Sequence, residues 1–343
     1  MKDAKTRKPD LTRPTREQLR EAYELAREVA DRAPWKSLHD SQVLAVRFAD
    51  GRERFVSVMG RGGGTCGISA YMTYADFHRM KAVDGKDHED AMDGFFSTNQ
   101  LMLAFDSAEF LLEGEMEQVL ESGVRFDRRR TPSFMSYFAG LARDRMGAAE
   151  IADALASIRA LLAFLNAYGP DAIALRDAPM QLLTTWTELP DGSWVRGENE
   201  FSWLMPFAFN LDGRQMRRVA AMPIKKKLAI EVATFVVPMG RTPQGRGKMS
   251  RFALIVDRDR GTPLGMDIFE SPDEGGFDWS PVLKFVLDTL LKLGCLPGRL
   301  AVFGMAMNGI LKRIVETELK GVEFLSDDRC ELSHQVFKFL QRP

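Results

Sequence analysis

The sequence predicts an α/β protein in which an N-terminal mixed α/β domain precedes a domain built on a five-stranded mixed sheet. Its 343 residues exceed the roughly 100–200 that form a single domain. Hydrophobic residues make up 45% of the chain and charged residues 28%, the composition of a packed globular protein. Strand and helix patterns both recur along it. We therefore divide the chain into a first domain (1–170), a strand-containing connecting region (171–226) and a second domain (227–343), with the boundary between 170 and 227.

The first predicted element is an amphipathic helix. Its apolar residues approximate one helical stripe: Leu19, Tyr23, Leu25, Ala26 and Val29. Thr15, just before them, has a hydroxyl suited to cap a helix N-terminus. Proline disfavours helical backbone in the residue before it, so we expect this helix to end at Ala33-Pro34.

A β-hairpin follows. Apolar and polar residues alternate over 42–49 and 54–58, on either side of Asp50-Gly51. Glycine permits the positive φ that tight hairpin turns require, so these two segments are predicted to pair. After a glycine-rich stretch, CGISAYM predicts a third strand that completes an antiparallel meander, and a helix is expected to begin near Tyr74.

The rest of the first domain is predicted to be mixed. The polar residues 83–94 indicate an exposed loop, QLMLAFDS indicates a strand, and EFLLEGEMEQVLESG indicates a helix. We expect two further helices before Gly169-Pro170, the clearer of them over 148–168.

Strand patterns return from about residue 178. QLLTTWTEL and SWVRGENEFSW indicate two strands joined by a turn at PDGS. The next residues, 210–227, have the sequence NLDGRQMRRVAAMPIKKK and fit neither pattern clearly.

The last third carries the clearest succession of elements. LAIEVATFVVP, RFALIVDRDRG and TPLGMDIFES predict three strands, with 252–256 and 264–269 paired antiparallel. A helix over WSPVLKFVLDTLLKLG follows, with Ser280 as its cap, Pro281 in its first position and Gly294 as its stop. A strand at RLAVFG, a helix at NGILKRIVETELKG, a strand at VEFLSD and a final helix from Glu331 to Leu340 complete the domain.

This order, three antiparallel strands and then alternating helices and strands, resembles the ribonuclease-H-like fold over about Lys227 to Gln341. That fold occurs in nucleases, integrases and transposases, whose enzymes hold two metal ions with carboxylates. Four further stretches are similar to an uncharacterised bacterial protein family of unknown function: APWKSLHDSQ, SVMG after the hairpin, GISAY before a helix, and FALIVDRDRGTPLG. The second resemblance implies a two-domain layout and no biochemical role.

The resemblance to ribonuclease H makes three carboxylates candidate metal ligands. Glu231 stands on the first strand of the domain and Asp257 follows the second strand. Glu331 begins the last helix, shortly after Asp327-Asp328. The fourth strand, however, ends in Phe303-Gly304-Met305, where such enzymes place a further acid. Our hypothesis is therefore a non-catalytic binding or interaction protein. The alternative is a nuclease that requires Mg²⁺ or Mn²⁺ and uses these three carboxylates.

A basic, glycine-rich segment, GRTPQGRGK, supplies candidates for nucleic-acid binding. Arg241, Arg246 and Lys248 lie between two predicted strands, where a flexible loop can contact phosphates. A solvated loop without a ligand is the other interpretation. The glycine run RGGGTCG lacks the Gly-Lys-Ser/Thr ending of a phosphate-binding loop and precedes a strand. We predict that residues 61–64 join a hairpin and bind no phosphate.

Charge, histidine and cysteine content bound the remaining possibilities. Forty-seven basic and 48 acidic residues give a net charge of −1, which argues against a chain that mainly coats nucleic acid or acidic membranes. His78 and His88 flank an acidic stretch without a recognised metal spacing, so no metal site is predicted there. Three widely spaced cysteines and an N-terminus without an apolar signal core predict a cytoplasmic protein with reduced thiols. No membrane span and no cofactor are expected, and a protein or a nucleic acid are both open as partners.

Overall fold

The computed structural model describes residues 13–82, 88–173, 180–202, 209–273, 275–325 and 329–340. Within them the chain forms nine α-helices and two mixed sheets, one of eight strands and one of five. The chain divides into two compact units. Unit 1 comprises Met1–Asp84 and Ser97–Met205, and unit 2 comprises Gly85–Phe96 and Pro206–Pro343. The predicted α/β fold class and the five-stranded mixed sheet are confirmed.

In chain order, the helices are α1 (Arg16–Arg32), α2 (Tyr74–Ala82), α3 (His88–Phe95), α4 (Glu115–Ser122), α5 (Ala148–Tyr168), α6 (Gly213–Ala220), α7 (Ser280–Leu293), α8 (Met305–Thr317) and α9 (Glu331–Leu340). The strands are β1 (Val43–Arg47), β2 (Glu53–Met59), β3 (Cys66–Tyr71), β4 (Gln100–Asp106), β5 (Thr131–Tyr137), β6 (Asp144–Arg145), β7 (Met180–Glu188), β8 (Trp194–Ser202), β9 (Ile224–Arg241), β10 (Gly247–Asp257), β11 (Thr262–Phe269), β12 (Leu296–Phe303) and β13 (Glu323–Leu325).

Unit 1 is an eight-stranded sheet covered by helices on both faces. Its strand order is β6-β5-β4-β3-β2-β1-β7-β8, and all neighbours are antiparallel except β1 and β7. Helices α1 and α5 bury residues such as Leu19 and Phe164 against one face. Helix α2 covers part of the other face, where Tyr74 packs against Phe55.

Local signals explain the first elements of unit 1. The Thr15 hydroxyl accepts a hydrogen bond from the Gln18 N–H (3.2 Å), and the Gln18 side chain accepts one from the Thr15 N–H (3.0 Å), which forms a capping box. The predicted hairpin is also confirmed. Strand β1 pairs with β2 in a register that joins Val43 to Ser57, and Gly51 has a φ of 84° in the turn between them.

Two predictions for the first domain (1–170) are wrong. Residues 88–95, expected in an exposed loop, form helix α3, while 83–87 lie outside the described residues. One of the two helices expected before Gly169 is absent from the described chain, since 131–137 form strand β5 instead. All seven residues of β5 are buried, so this strand lacks the polar alternation that identifies a half-exposed strand.

The connecting region set apart at 171–226 is divided between the units. Strands β7 and β8 form as predicted, but they extend the sheet of unit 1 through a parallel pairing that places Ala45 opposite Thr185. Residues from Pro206 onwards belong to unit 2. A parallel pairing across more than 130 residues leaves no local trace, which is why the sequence did not assign these strands to the first domain.

Unit 2 is a five-stranded sheet in the order β11-β10-β9-β12-β13. Strands β9, β10 and β11 are antiparallel, whereas β12 and β13 run parallel to β9. The predicted pairing is confirmed, with Phe252 opposite Ile268. Helices α6, α7 and α8 pack on one face of the sheet and α9 on the other. The expected cap of α7 is wrong: Trp279 precedes the helix, and the Ser280 hydroxyl donates to Asp278 (2.6 Å) rather than capping.

No helix in the described parts of the chain is both long and apolar enough to cross a membrane.

Candidate functional site

Glu231, the central candidate for a metal ligand, is enclosed beneath helix α9. Its side chain is 1% exposed, and it accepts hydrogen bonds from the Ser333 N–H (2.8 Å) and the Ser333 hydroxyl (2.9 Å). The Arg258 Nε lies 3.7 Å from the other carboxylate oxygen. A helix N-terminus leaves N–H groups without partners and carries partial positive charge, so a buried carboxylate there is stabilised. Glu231 therefore attaches α9 to the sheet.

Asp257 lies on the other face of the same sheet. The register places Val256 opposite Glu231 and Asp257 opposite Ile230. Because side chains alternate along a strand, Asp257 and Glu231 begin on opposite faces. The Asp257 carboxylate accepts from the N–H groups of Asp259 (3.0 Å) and Arg260 (3.1 Å), so it closes the turn between β10 and β11.

The third candidate, Glu331, is the exposed first residue of α9 and thus lies on the Glu231 side. Asp327 and Asp328 lie outside the described residues. In the part of the chain that the structure describes, no group of three or more His, Cys, Asp or Glu side chains is arranged to hold a metal ion. The structure thus brings Glu231 and the start of α9 together and separates Asp257 from both.

An acid does stand at the end of the fourth strand of unit 2, but α3 supplies it. Asp93 accepts a hydrogen bond from the Met305 N–H (3.0 Å) at the start of α8, directly after β12. Its other oxygen pairs with Arg251. Gly304 lies so close to Thr234 on β9 that a Cβ on Gly304 would be 2.1 Å from the Thr234 hydroxyl oxygen. Asp93 could not be identified from the sequence, because it lay in a predicted loop and its partners are distant in the chain.

Arg251 is enclosed together with Asp93. The side chains are 2% and 4% exposed, and the Arg251 guanidinium also lies 5.5 Å from the Trp279 ring centroid and 5.8 Å from that of Phe277. A buried arginine needs a counter-charge and hydrogen bonds, and cation–π contact adds to both. The Asp93–Arg251 ion pair is therefore enclosed by the protein and serves the fold.

The three residues predicted for nucleic-acid binding are all engaged with the protein itself, in the segment from the end of β9 to the start of β10, which we call the basic loop (241–248). Arg246 is 3% exposed. Lys248 pairs with Asp273 (3.1 Å) and Glu270 (3.5 Å). Partial burial lowers the pKa of Lys248, but the two carboxylates outweigh it and raise that pKa above its ordinary value. Arg241 is exposed, and its guanidinium donates to the Gly245 carbonyl oxygen (2.7 Å).

A second basic region of unit 2 is more available to a ligand. Along α6, Gln215, Met216 and Val219 are buried, and the arginines between them face solvent. Three residues separate α6 from β9, and the first residue of β9, Ile224, is followed by a run of exposed lysines. We call this set the basic strip: Arg214, Arg217, Arg218, Lys225, Lys226 and Lys227. Its signal in the sequence is an arginine pattern at i, i+3 and i+4 with apolar residues on the opposite side of the helix.

Within the described residues, no member of the basic strip lies within ion-pair distance of a carboxylate. The nearest acid in sequence is Asp212, whose carboxylate caps α6 by accepting from the Arg214 N–H (2.9 Å). The apolar side of α6 packs against α7, where Gln215 donates to Asp288 (2.6 Å). The six cations are therefore held on a folded support and form no ion pair with a carboxylate of the described residues.

Unit 1 also encloses charges, and each has a structural partner. Asp153 on α5 accepts from Arg52 (2.7 Å) and Arg54 (2.5 Å), which fixes the helix to the first hairpin. Burial raises the pKa of Asp76, although the nearby Arg79 opposes this effect.

Residues 61–64 form the turn between the antiparallel strands β2 and β3, as predicted, and the absence of phosphate binding there stays a prediction. The His88 side chain lies outside the described residues, and the absence of a metal site at His78 and His88 stays a prediction.

Comparison with protein families finds a similarity over part of the chain. A model described as a domain of unknown function (DUF7309) matches residues 20–180. The chain is thus similar over that part to an uncharacterised domain family, and three of the four stretches that suggested such a family fall inside it. Comparisons with curated proteins and with solved structures gave no significant match.

Proposed function

We propose that the protein is a non-catalytic binding protein, and that unit 2 is a ribonuclease-H-like domain without a metal site. The observation that carries this proposal is the position of Glu231. Its carboxylate is 1% exposed and bonded to Ser333 at the start of α9. A carboxylate in that position is committed to the fold rather than to a metal ion.

The sheet of unit 2 supports the fold assignment. Three antiparallel strands lead into two parallel strands, in the order β11-β10-β9-β12-β13, with helices on both faces. This is the arrangement expected from the resemblance to ribonuclease H. A fold of this kind hosts many functions, so the residues at the site decide the activity.

The geometry of the carboxylates argues against the nuclease alternative. Two-metal hydrolysis needs carboxylates that converge on ions about 3.5–4 Å apart. Glu231 and Asp257 begin on opposite sheet faces, and Glu331 is exposed. The acid that follows β12 is Asp93, which Arg251 and the start of α8 already neutralise.

A cytoplasmic location belongs to the same proposal. Cys66, Cys295 and Cys330 are all free thiols, which fits a reducing compartment.

Nuclease assays test the proposed function. The full chain is incubated with DNA, RNA and an RNA–DNA hybrid in the presence of Mg²⁺ or Mn²⁺, beside a Glu231→Gln, Asp257→Asn double variant. We expect negligible cleavage by both proteins, because no metal centre is assembled. The amide variants keep hydrogen-bond acceptors, so they preserve the fold better than alanine. Cleavage by the wild type that disappears in the double variant would establish the nuclease instead.

A further inference from the structure

We propose that the basic strip on α6 and the start of β9 binds the phosphate backbone of double-stranded nucleic acid without reading its sequence. This inference rests on the proposed binding function and names its partner. The strip combines six exposed cations with no described carboxylate partner. It is separate from the carboxylates considered for catalysis.

The spacing of the arginines suits a polyanion. Arg214, Arg217 and Arg218 follow each other at i, i+3 and i+4, so they share one face of α6 with about 5–6 Å between neighbouring Cβ atoms. Duplex nucleic acid presents one negative charge per roughly 1.7 Å of its axis. An eight-residue helix is about 12 Å long, so its arginine face is opposite several phosphates at once.

The lysines lie next to this helix along the chain, at the start of β9, where consecutive side chains alternate between the two faces of a strand. Only Ala221, Met222 and Pro223 separate α6 from β9, and the Leu296 N–H holds this connection by donating to the Pro223 carbonyl (2.9 Å). Gly298 on β12 lies against the backbone of Lys226, where a Cβ would be 2.4 Å from the lysine carbonyl oxygen. The lysines thus project from an ordered strand that is hydrogen-bonded into the sheet.

The composition of the strip favours duplex nucleic acid over other partners. A protein interface needs an apolar or aromatic centre, and residues 210–227 contain no aromatic side chain. Single strands are held by base stacking on aromatic rings, which the strip also lacks. A helix that inserts into a membrane must present its apolar face, whereas Met216 and Val219 are packed inside unit 2.

Fluorescence anisotropy with a labelled DNA duplex of arbitrary sequence tests the inference on the full chain. We expect a Kd of about 1–100 μM at physiological salt, with a steep linear decrease in log affinity against log salt. The strip variant is Arg214→Gln, Arg217→Gln, Arg218→Gln. It should weaken binding at low salt by about tenfold or more and reduce the slope by as much as about 3.

A matched control removes the same number of arginines elsewhere. Arg128, Arg129 and Arg130 are exposed in unit 1, and Arg128→Gln, Arg129→Gln, Arg130→Gln should bind the duplex as the wild type does. A second strip variant, Lys225→Gln, Lys226→Gln, Lys227→Gln, should also weaken binding. Circular dichroism confirms that each variant is folded.

Three results would overturn the inference. The first is no duplex binding by the wild type at low salt, and the second is equal binding by the wild type and both strip variants. The third is a strip-dependent preference for poly-glutamate or for phosphatidylserine vesicles over the duplex. All three leave the proposed absence of catalysis intact, since only the cleavage assay bears on it.

Discussion

The basic loop and the basic strip are both rich in arginine and lysine, but they differ in what neutralises their charges. In the loop, Arg246 is buried and Lys248 pairs with Asp273 and Glu270. In the strip, six cations face solvent, and none has a carboxylate within ion-pair distance among the described residues. The loop contributes its charge to the fold, whereas the strip leaves its charge available.

The comparison shows that local charge density is a poor guide to a binding surface. The loop looks like a ligand-binding segment because glycines surround its cations, yet its lysine holds acidic neighbours in place. The strip is less conspicuous because its cations alternate with buried residues of α6. Like charges on one helix face repel each other weakly, so the strip slightly destabilises unit 2 until an anion neutralises it.

The largest expected effect concerns a basic residue that the fold encloses completely. Asp93→Ala leaves the buried Arg251 without its carboxylate and removes the acceptor of the Met305 N–H. We expect the free energy of unfolding to fall by about 3–5 kcal/mol, measured by urea denaturation. The Arg251→Met single variant and the Asp93→Ala, Arg251→Met double variant complete the double-mutant cycle. The double variant should lose less than the sum of the single variants, and strict additivity would show that the pair is not coupled.

The next effect should arise at Glu231. Glu231→Ala removes the acceptor of both Ser333 bonds and should cost about 1–3 kcal/mol. Glu331→Gln, on the exposed first position of the same helix, should cost less than about 1 kcal/mol. Equal losses in the two variants would mean that Glu231 does not attach α9 to the sheet. Thermal and chemical denaturation both measure the difference.

A smaller effect is expected in the basic loop. Lys248→Ala removes an ion pair near the surface and should cost about 0–1 kcal/mol. Since the pKa of Lys248 is raised in the folded state, its contribution is fully present at neutral pH and is lost as the pH rises above the ordinary range for lysine. Duplex binding should be unchanged. A marked loss of binding in this variant would restore the basic loop as the ligand surface.

The smallest effect on stability is expected in the strip. Arg214→Gln, Arg217→Gln, Arg218→Gln should change the free energy of unfolding by no more than about 0.5 kcal/mol, and removal of mutual repulsion favours a small gain. Differential scanning calorimetry at low and high salt measures this. A large loss of stability would show that the arginines serve the fold. It would also remove the contrast between the two basic regions.

Sequence reasoning succeeded where the determining interactions are local. The capping box at Thr15, the turn at Gly51 and the strand pair around Gly261 each form between residues a few positions apart. The succession of elements in unit 2 followed for the same reason, because each strand and helix carries its own periodicity.

The site was less predictable because its contacts are distant in sequence. Glu231 was identified, but its bond to Ser333 spans 102 positions, and only the register reveals that Asp257 faces away. Asp93 was missed altogether. The basic strip could have been predicted, since the arginine spacing on α6 is visible in the sequence once 213–220 is recognised as a helix.

Helix α3 also constrains the order in which the protein forms as it leaves the ribosome. Asp93 precedes its partner Arg251 by 158 positions, and the second segment of unit 1, Ser97–Met205, is synthesised in between. At about 5–20 residues per second, that interval lasts roughly 8–30 s. Unit 1 can complete its sheet during this time, while α3 has no strand β10 or helix α8 to dock on. Unit 2 is therefore the last part of the chain to acquire its native contacts, and a nascent chain stalled before residue 251 carries Asp93 without its counter-charge.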